Sequence, residues 1–387
     1  MSAVDDRTMT AGDVLEAVQT LAPSISSRAA EIEAARRLPA DLLDELKAAG
    51  AFRLILPPSH GGAGANLIEA MRGLETLARA DASTGWTVMI GAGSWIDLAG
   101  LPRATFDAMF ADPSEAIVAG AINPSGSIEA VDGGYRVNGR WAFASGCQHA
   151  RWIFGDCFEG VVDGVPQLRI AVFSPDQVVI EDTWYVSGLA GTGSHHFHVE
   201  GVVVPADWTY SVLTAEPCID ETIVRIPTPA LIACVVASVA IGTAQGALDE
   251  IVDLAAHKVP LLDHSPLATN PTFQRELAIA DTELRAARTL VEDTAGSLWA
   301  MAVDGDEPTL EDRARARSAA VWATERSVSV VDAAYRAGGG SSVYLDNPLQ
   351  RRLRDIHAIT QHFIVRPDTM TTAGAILAGN NPELMLF

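Results

Sequence analysis

The sequence predicts a mainly α-helical protein with a central β domain, and three observations carry that prediction. Apolar residues recur at helical spacing from Ala11 to about Phe110. Short alternating runs divided by glycine fill the stretch from about Glu115 to Asp207. Long helical patterns then return from about Thr222. The chain divides on this reading into an N-terminal helical domain (1–114), a middle β domain (115–215) and a C-terminal helical bundle domain (216–387).

In the first region the helical spacing is plainest in VLEAVQTLA, AARRLPADLLDELKAAG and NLIEAMRGLETLARA, with breaks at LPPSHGGAGAN and DASTG. In the second, GGYRVNGRWAF, LRIAVFS and HHFHVEGVVVP read as half-buried strands. In the third, FQRELAIADTELRAARTLVEDTAGSLWAMA and RARARSAAVWATERSVSVVDAAYRA read as long helices, the second ended by the run Gly338 to Gly340. Alanine lies on many faces of these helices, so backbones can approach closely, which suits a bundle shared between subunits and, with the resemblance below, a homotetramer. The apolar ending NPELMLF fits burial at a subunit contact.

Composition narrows the function. The chain has 387 residues, 48% hydrophobic and 20% charged, enough for two or three packed units. Lys plus Arg number 27 against 49 Asp plus Glu, a net charge of −22 that repels nucleic acid and anionic membranes. The run IPTPALIACVVASVAIGTAQGALDEIVDLA resembles a membrane span in hydropathy, but Pro227 and Pro229 at its head and its amphipathic end fit a buried core helix. Cys147, Cys157, Cys218 and Cys234 lack C-x-x-C spacing and follow no signal sequence, so buried thiols and a cytoplasmic setting are expected. There is no internal repeat, no G-x-G-x-x-G between strand and helix and no G-x-x-x-x-G-K-[ST]. If NADH is needed, it acts on another protein.

Several motifs in order resemble the acyl-CoA dehydrogenase superfamily of flavoproteins across nearly the whole chain. YRVNGRWAFASGCQHARW is similar to the family strand whose aromatic and hydroxyl residues cover the flavin. The resemblance sets Trp141 and Phe143 at the cofactor and Ser145 at the N5 edge of the ring. GLAGTGSHHFHVEGVVVP resembles the following loop and strand, with Thr192 and Ser194 where hydroxyls and amides contact the flavin or its phosphate. GGSSVYLDNPLQRRLRD resembles the family's Gly-Gly segment before an Arg-Asp pair, with Gly339 and Gly340 toward the cofactor and Arg354 and Asp355 holding the last helix to its neighbours. The arginine that many members set against the cofactor pyrophosphate has no clear counterpart before Phe273, so FMN and FAD both stay open.

A dehydrogenase of this family needs a carboxylate base. By resemblance its two usual positions fall on Phe363 and Ile232, and neither can accept a proton. Flavin-dependent monooxygenases of the two-component type, also built on this fold, carry a histidine seven residues after the Asp, which is His362. RLRDIHAITQHFIVRP reads as one helix, in which at ~100° per residue Asp355 and His362 share a face while His357 and His362 diverge by ~140°. The resemblance then implies that His362 and Ser145 are catalytic. Reduced flavin and O2 give a C4a-hydroperoxide that must not lose hydrogen peroxide, and a neutral imidazole and a hydroxyl in a dry pocket can hold and protonate it.

The expected partners are a separate NAD(P)H:flavin reductase, O2 and an aromatic or otherwise hydrophobic small molecule. STGWTVMIGAGSWIDLAG, read as a helix bordering the substrate cavity, puts Trp86, Met89, Gly93 and Trp95 at the pocket. Phenol hydroxylases of this group tend to have a histidine where Gly93 stands, so a larger or less polar substrate than a simple phenol is expected. Oxygenation at carbon, nitrogen or sulfur uses the same residues. His195, His196 and His198 read as a loop or pocket rim rather than a metal site, and no metal is expected. His60 reads as a turn residue. Two other readings stay open: a dehydrogenase or oxidase with a relocated base, which nitroalkane oxidases would also need, and a non-catalytic ligand-binding relative.

Overall fold

The computed structural model describes residues 9–380 and Pro382. The apolar stretch 383–387 lies outside the described residues, as does Asn381. Six helices come first: α1 (Ala11–Ser27), α2 (Ala29–Ala35), α3 (Ala40–Ala48), α4 (Leu67–Ala80), α5 (Ala82–Gly93) and α6 (Arg103–Met109). Side-chain caps set their starts. Thr10 and Asp13 form a capping box on α1, Asn66 and Glu69 another on α4, and Asp81 accepts from the Thr84 amide at 2.8 Å to open α5.

Seven strands follow: β1 (Val118–Val131), β2 (Gly134–Ala144), β3 (Trp152–Val162), β4 (Val165–Phe173), β5 (Val179–Glu181), β6 (His195–Val204) and β7 (Thr209–Ser211). They form one sheet in the order β5-β6-β2-β1-β3-β4-β7, antiparallel except for the β1–β3 pair. The β2–β6 register matters most for function. Ala144 lies opposite His195, so the residues just outside the ladder, Ser145 and Ser194, meet at the sheet's end.

The remaining helices are α7 (Thr228–His257), α8 (Pro271–Asp304), α9 (Leu310–Gly338), α10 (Pro348–Ile359) and α11 (Thr369–Leu377). Helix α7 is the apolar run that matches a membrane span in length and composition. It packs against α4, α5, α8, α9 and α10, and 89% of its most apolar window is buried within the protein. Small residues make this possible: a Cβ on Gly242 would collide with the Glu75 carbonyl of α4. Helix α9 ends where Gly339 takes φ 54°, ψ −140°, a conformation that only glycine adopts readily.

One expectation about helix length is corrected. Helix α10 stops at Ile359, and His362 caps a separate 3-10 turn, Phe363–Val365. Asp355 and His362 therefore do not share a helix face, and helical periodicity does not place His362. Trp95 likewise lies beyond the end of α5, in the following turn, whereas Trp86, Met89 and Gly93 are on the helix.

Candidate active site

Four residues from three segments form a continuous hydrogen-bonded string. The Trp86 Nε1–H on α5 donates to Ser145 Oγ at 3.1 Å. Ser145 Oγ lies 2.7 Å from Ser194 Oγ, which lies 2.7 Å from Thr192 Oγ1. Thr192 Oγ1 donates to the Leu189 carbonyl at 2.8 Å. All four side chains are buried. The Thr192 and Gly193 amides also bond inside the loop, to Leu189 and Ala190 carbonyls, and of the two hydroxyls Ser194's meets Ser145 while Thr192's stands behind it.

The loop holding this string is wedged. Leu189 has φ 53°, a strained value for a branched side chain, and its amide donates to Asp355 Oδ1 on α10 at 2.7 Å. A Cβ on Gly188 would strike the Arg354 carbonyl, and one on Gly191 would strike Ile32 and Ser83. Asp355 is buried, and desolvation, with the Asp81 carboxylate adding, pushes it up to about 7. Arg354 holds α10 by other partners: it contacts Glu33 and donates to the Ser187 carbonyl at 2.6 Å. So the Arg-Asp pair does fasten the last helices, through separate contacts. The stronger fastening went unnoticed in the sequence. Arg352, 3% exposed, meets Glu250 at 2.9 Å and donates to the Ala78, Arg79 and Ala80 carbonyls that end α4.

Phe143, two residues before Ser145, has φ 66° and is 69% exposed. A large aromatic ring held out of the core on a strained backbone is what a planar ligand would stack on. Trp184 and His196 meet that ring edgewise, at 6.1 and 6.3 Å.

His362 reaches the string through Trp86, whose ring meets the imidazole edge-on at 5.4 Å. Burial, then the nearby Arg317 guanidinium, lowers His362 to about 4, so the ring is neutral near pH 7. Its Nδ1 accepts from the Ile364 amide at 3.4 Å, which leaves the proton on Nε2. Phe363 packs beside it at 4.8 Å. Further along α5, Met89 is buried and Gly93 is half-buried, and beyond its end Trp95 is buried with an indole N–H that has no partner among the described residues.

Other expected site residues are elsewhere. Trp141 is fully buried, stacked on Phe197 at 4.9 Å and bonded to the Asp156 carbonyl, so it belongs to the interior of the sheet and not to the exposed face of Phe143. Strand alternation would put the two on one face, but the backbone turns at Phe143 and separates them. Gly339 and Gly340 follow α9 beside Lys258, which donates to the Gly338 carbonyl and Ser341, and no contact among the described residues brings them to the Ser145 string. His195 is buried, desolvation lowers it from the ordinary histidine value, and its Nδ1 accepts from the Thr183 and Trp184 amides. His198 pairs with Glu181 at 2.9 Å. His357 is exposed, 3.2 Å from Asp332, and His60 is fixed between Ser59 and Asp107. Cys147, Cys157 and Cys234 are buried thiols pushed up to about 12, and Cys218 is half-buried.

These residues fit a flavin. An exposed, strained Phe143 offers a platform, a buried hydroxyl stands beside it, and a neutral histidine is joined to that hydroxyl through one indole. No carboxylate occupies position 232 or 363, where the resemblance puts a dehydrogenase base.

Comparison with known proteins agrees. Residues 13–101 match the acyl-CoA dehydrogenase N-terminal domain and residues 234–367 the acyl-CoA dehydrogenase C-terminal domain. The chain is 31% identical to an indole-3-acetate monooxygenase of Pseudomonas putida, over 92% of this chain and 91% of that protein. It is 31% identical to the oxygenase component of an FADH2-dependent resorcinol hydroxylase of a Rhizobium species, over 95% and 94%. The crystal structure of 3-HSA hydroxylase from Rhodococcus sp. RHA1 superimposes with a TM-score of 0.90 at 29% identity, covering 97% of this chain and 99% of that one. These relatives are monooxygenases, which sets aside the dehydrogenase with a relocated base and the non-catalytic relative. The chain belongs to the acyl-CoA dehydrogenase superfamily, and within it to the flavin-dependent monooxygenases, as an oxygenase component of the two-component type.

Proposed function

We propose that this flavin-dependent monooxygenase works in the cytoplasm as a homotetramer, takes reduced FMN or FAD from a separate NAD(P)H:flavin reductase, and oxygenates an aromatic or otherwise hydrophobic small molecule. The observation that carries the reading is the neutral His362 joined through Trp86 to Ser145, with apolar residues where a dehydrogenase would keep its base. Reduced flavin, when bound, would supply the two electrons that activate O2, one oxygen atom of which goes to the substrate and the other to water.

The chain's own residues do the rest. Phe143 would carry the ring system, and Ser145 would stand toward its N5 edge, as the resemblance implies. His362 keeps a proton on Nε2 and stays uncharged, so it donates a hydrogen bond to oxygen without drawing water into the pocket as a cation would. Trp86, Met89, Gly93 and Trp95 line the substrate side, and Gly93 leaves room where a side chain would otherwise meet a small phenol. The names of the relatives, indole-3-acetate monooxygenase and resorcinol hydroxylase, support an aromatic substrate.

The test is anaerobic loading with reduced FMN or FAD, then 18O2 in the presence of a panel of aromatic compounds, with products read by mass spectrometry. One labelled oxygen in a product identifies substrate class and flavin together. Release of all the oxygen as hydrogen peroxide across the panel, with reduction of bound oxidised flavin by an acyl-thioester, would overturn the proposal.

A further inference from the structure

Proton counting along the string fixes its direction. The Trp86 indole nitrogen can only donate, and the Leu189 carbonyl can only accept. Thr192 has one hydroxyl proton, and it goes to Leu189. Thr192 Oγ1 must therefore accept from Ser194, whose single proton is then committed. Ser194 Oγ must in turn accept from Ser145. Every proton points away from Trp86 and toward Leu189.

We propose that this one-way string makes Ser145 a hydrogen-bond acceptor toward the bound ring, so that Thr192 and Ser194, without touching the flavin, set the site's preference for its reduced form. Ser145 Oγ accepts from Trp86 and gives its own proton to Ser194, which leaves it one lone pair and no hydrogen to offer. Reduced flavin carries a hydrogen on N5 and satisfies that lone pair. Oxidised flavin has a lone pair on N5, and two facing lone pairs in a buried site repel and leave both unsatisfied. The Leu189 carbonyl is a firm terminus, since it also accepts from the Thr192 amide and the Trp184 indole, while Asp355 holds the Leu189 amide. Burial of the whole string keeps water from reversing it.

The inference rests on the flavin reading above, with the N5 edge at Ser145. Its test measures dissociation constants for reduced and oxidised FMN and FAD, anaerobically, in the wild type and in T192V, T192S and S194A. Valine matches threonine in shape but cannot accept from Ser194, so Ser194 turns its proton to Ser145 and Ser145 turns its own outward. Wild type is expected to favour reduced flavin, and in T192V that preference shrinks by about tenfold, through tighter binding of the oxidised form and weaker binding of the reduced form. T192S keeps the hydroxyl and the preference. S194A also frees the Ser145 proton and shifts the preference the same way, so it carries the test should T192V not fold. Equal weakening of both redox forms in T192V and S194A, or an unchanged ratio, overturns the inference while the flavin site stands. A wild type that binds neither form sinks the flavin site itself, and the string's role with it.

Discussion

Protonation of His362 would place a charge in a pocket that burial and Arg317 already make hostile to one, and its value of about 4 reflects that. Oxygenation per flavin oxidised is therefore expected to be level from about pH 6 to 8 and to drop toward pH 4 as Nε2–H becomes part of an imidazolium. A pH series with product and peroxide measured side by side checks it. Stability follows the same sign. The folded value lies below the ordinary 6.5, so as pH falls below 6.5 the unfolded chain takes up the proton first, and this contribution to stability disappears between 6.5 and about 4. Urea midpoints of H362Q should lose less than wild type across that window. Replacing His362 by alanine should lower product yield by about a hundredfold and raise peroxide, with circular dichroism unchanged. Motif resemblance made Phe143, Ser145 and His362 legible in the sequence as candidates. The bond from Trp86 to Ser145 was not, because it spans 59 residues and no local pattern encodes it. Trp141 misled for a related reason: a strained residue breaks strand alternation, and only φ at Phe143 reveals it.

Among the elements, the join between α4, α7 and α10 decides whether the site exists. Arg352 ties the carbonyl end of α4 to Glu250 on α7 from within α10, where it is 3% exposed. Removing it would strand the half-buried Glu250 carboxylate and three carbonyls, so R352A is expected to lose about 3 kcal/mol, measured by chemical denaturation. The quoted run RLRDIHAITQ gave a helix with a strong pattern, yet its end could not be read: no glycine or proline stands between Ile359 and His362. The chain stops being helical there because His362 caps the next turn with its own ring. The caps at Asn66 and Thr309 were readable in principle as Asn or Thr followed three residues later by an acid. The wedge of Gly188 and Gly191 against neighbouring helices is tertiary and left no mark beyond the glycines themselves.

For the whole molecule, the order of helices, strands and helices was legible because each change of period is sustained over many residues. What the order did not reveal is how the two helical regions share one core, with α7 buried among α4, α5, α8, α9 and α10. Long helices with apolar residues left outward, Ile279, Leu290, Val303 and Leu310 among them, support assembly of several copies. Sedimentation should give a particle of four 40.9 kDa chains. A 40.9 kDa species at micromolar concentration would rule the tetramer out.

Trp86 touches both halves of the site, and it is one of eight tryptophans in the chain. Its indole is therefore a built-in optical probe. Light absorbed there should pass to a flavin stacked on Phe143, so loading of the site would be visible as lost ultraviolet emission, with no label attached. In a W86F protein part of that quenching should vanish, with Trp184 beside Phe143 keeping another part.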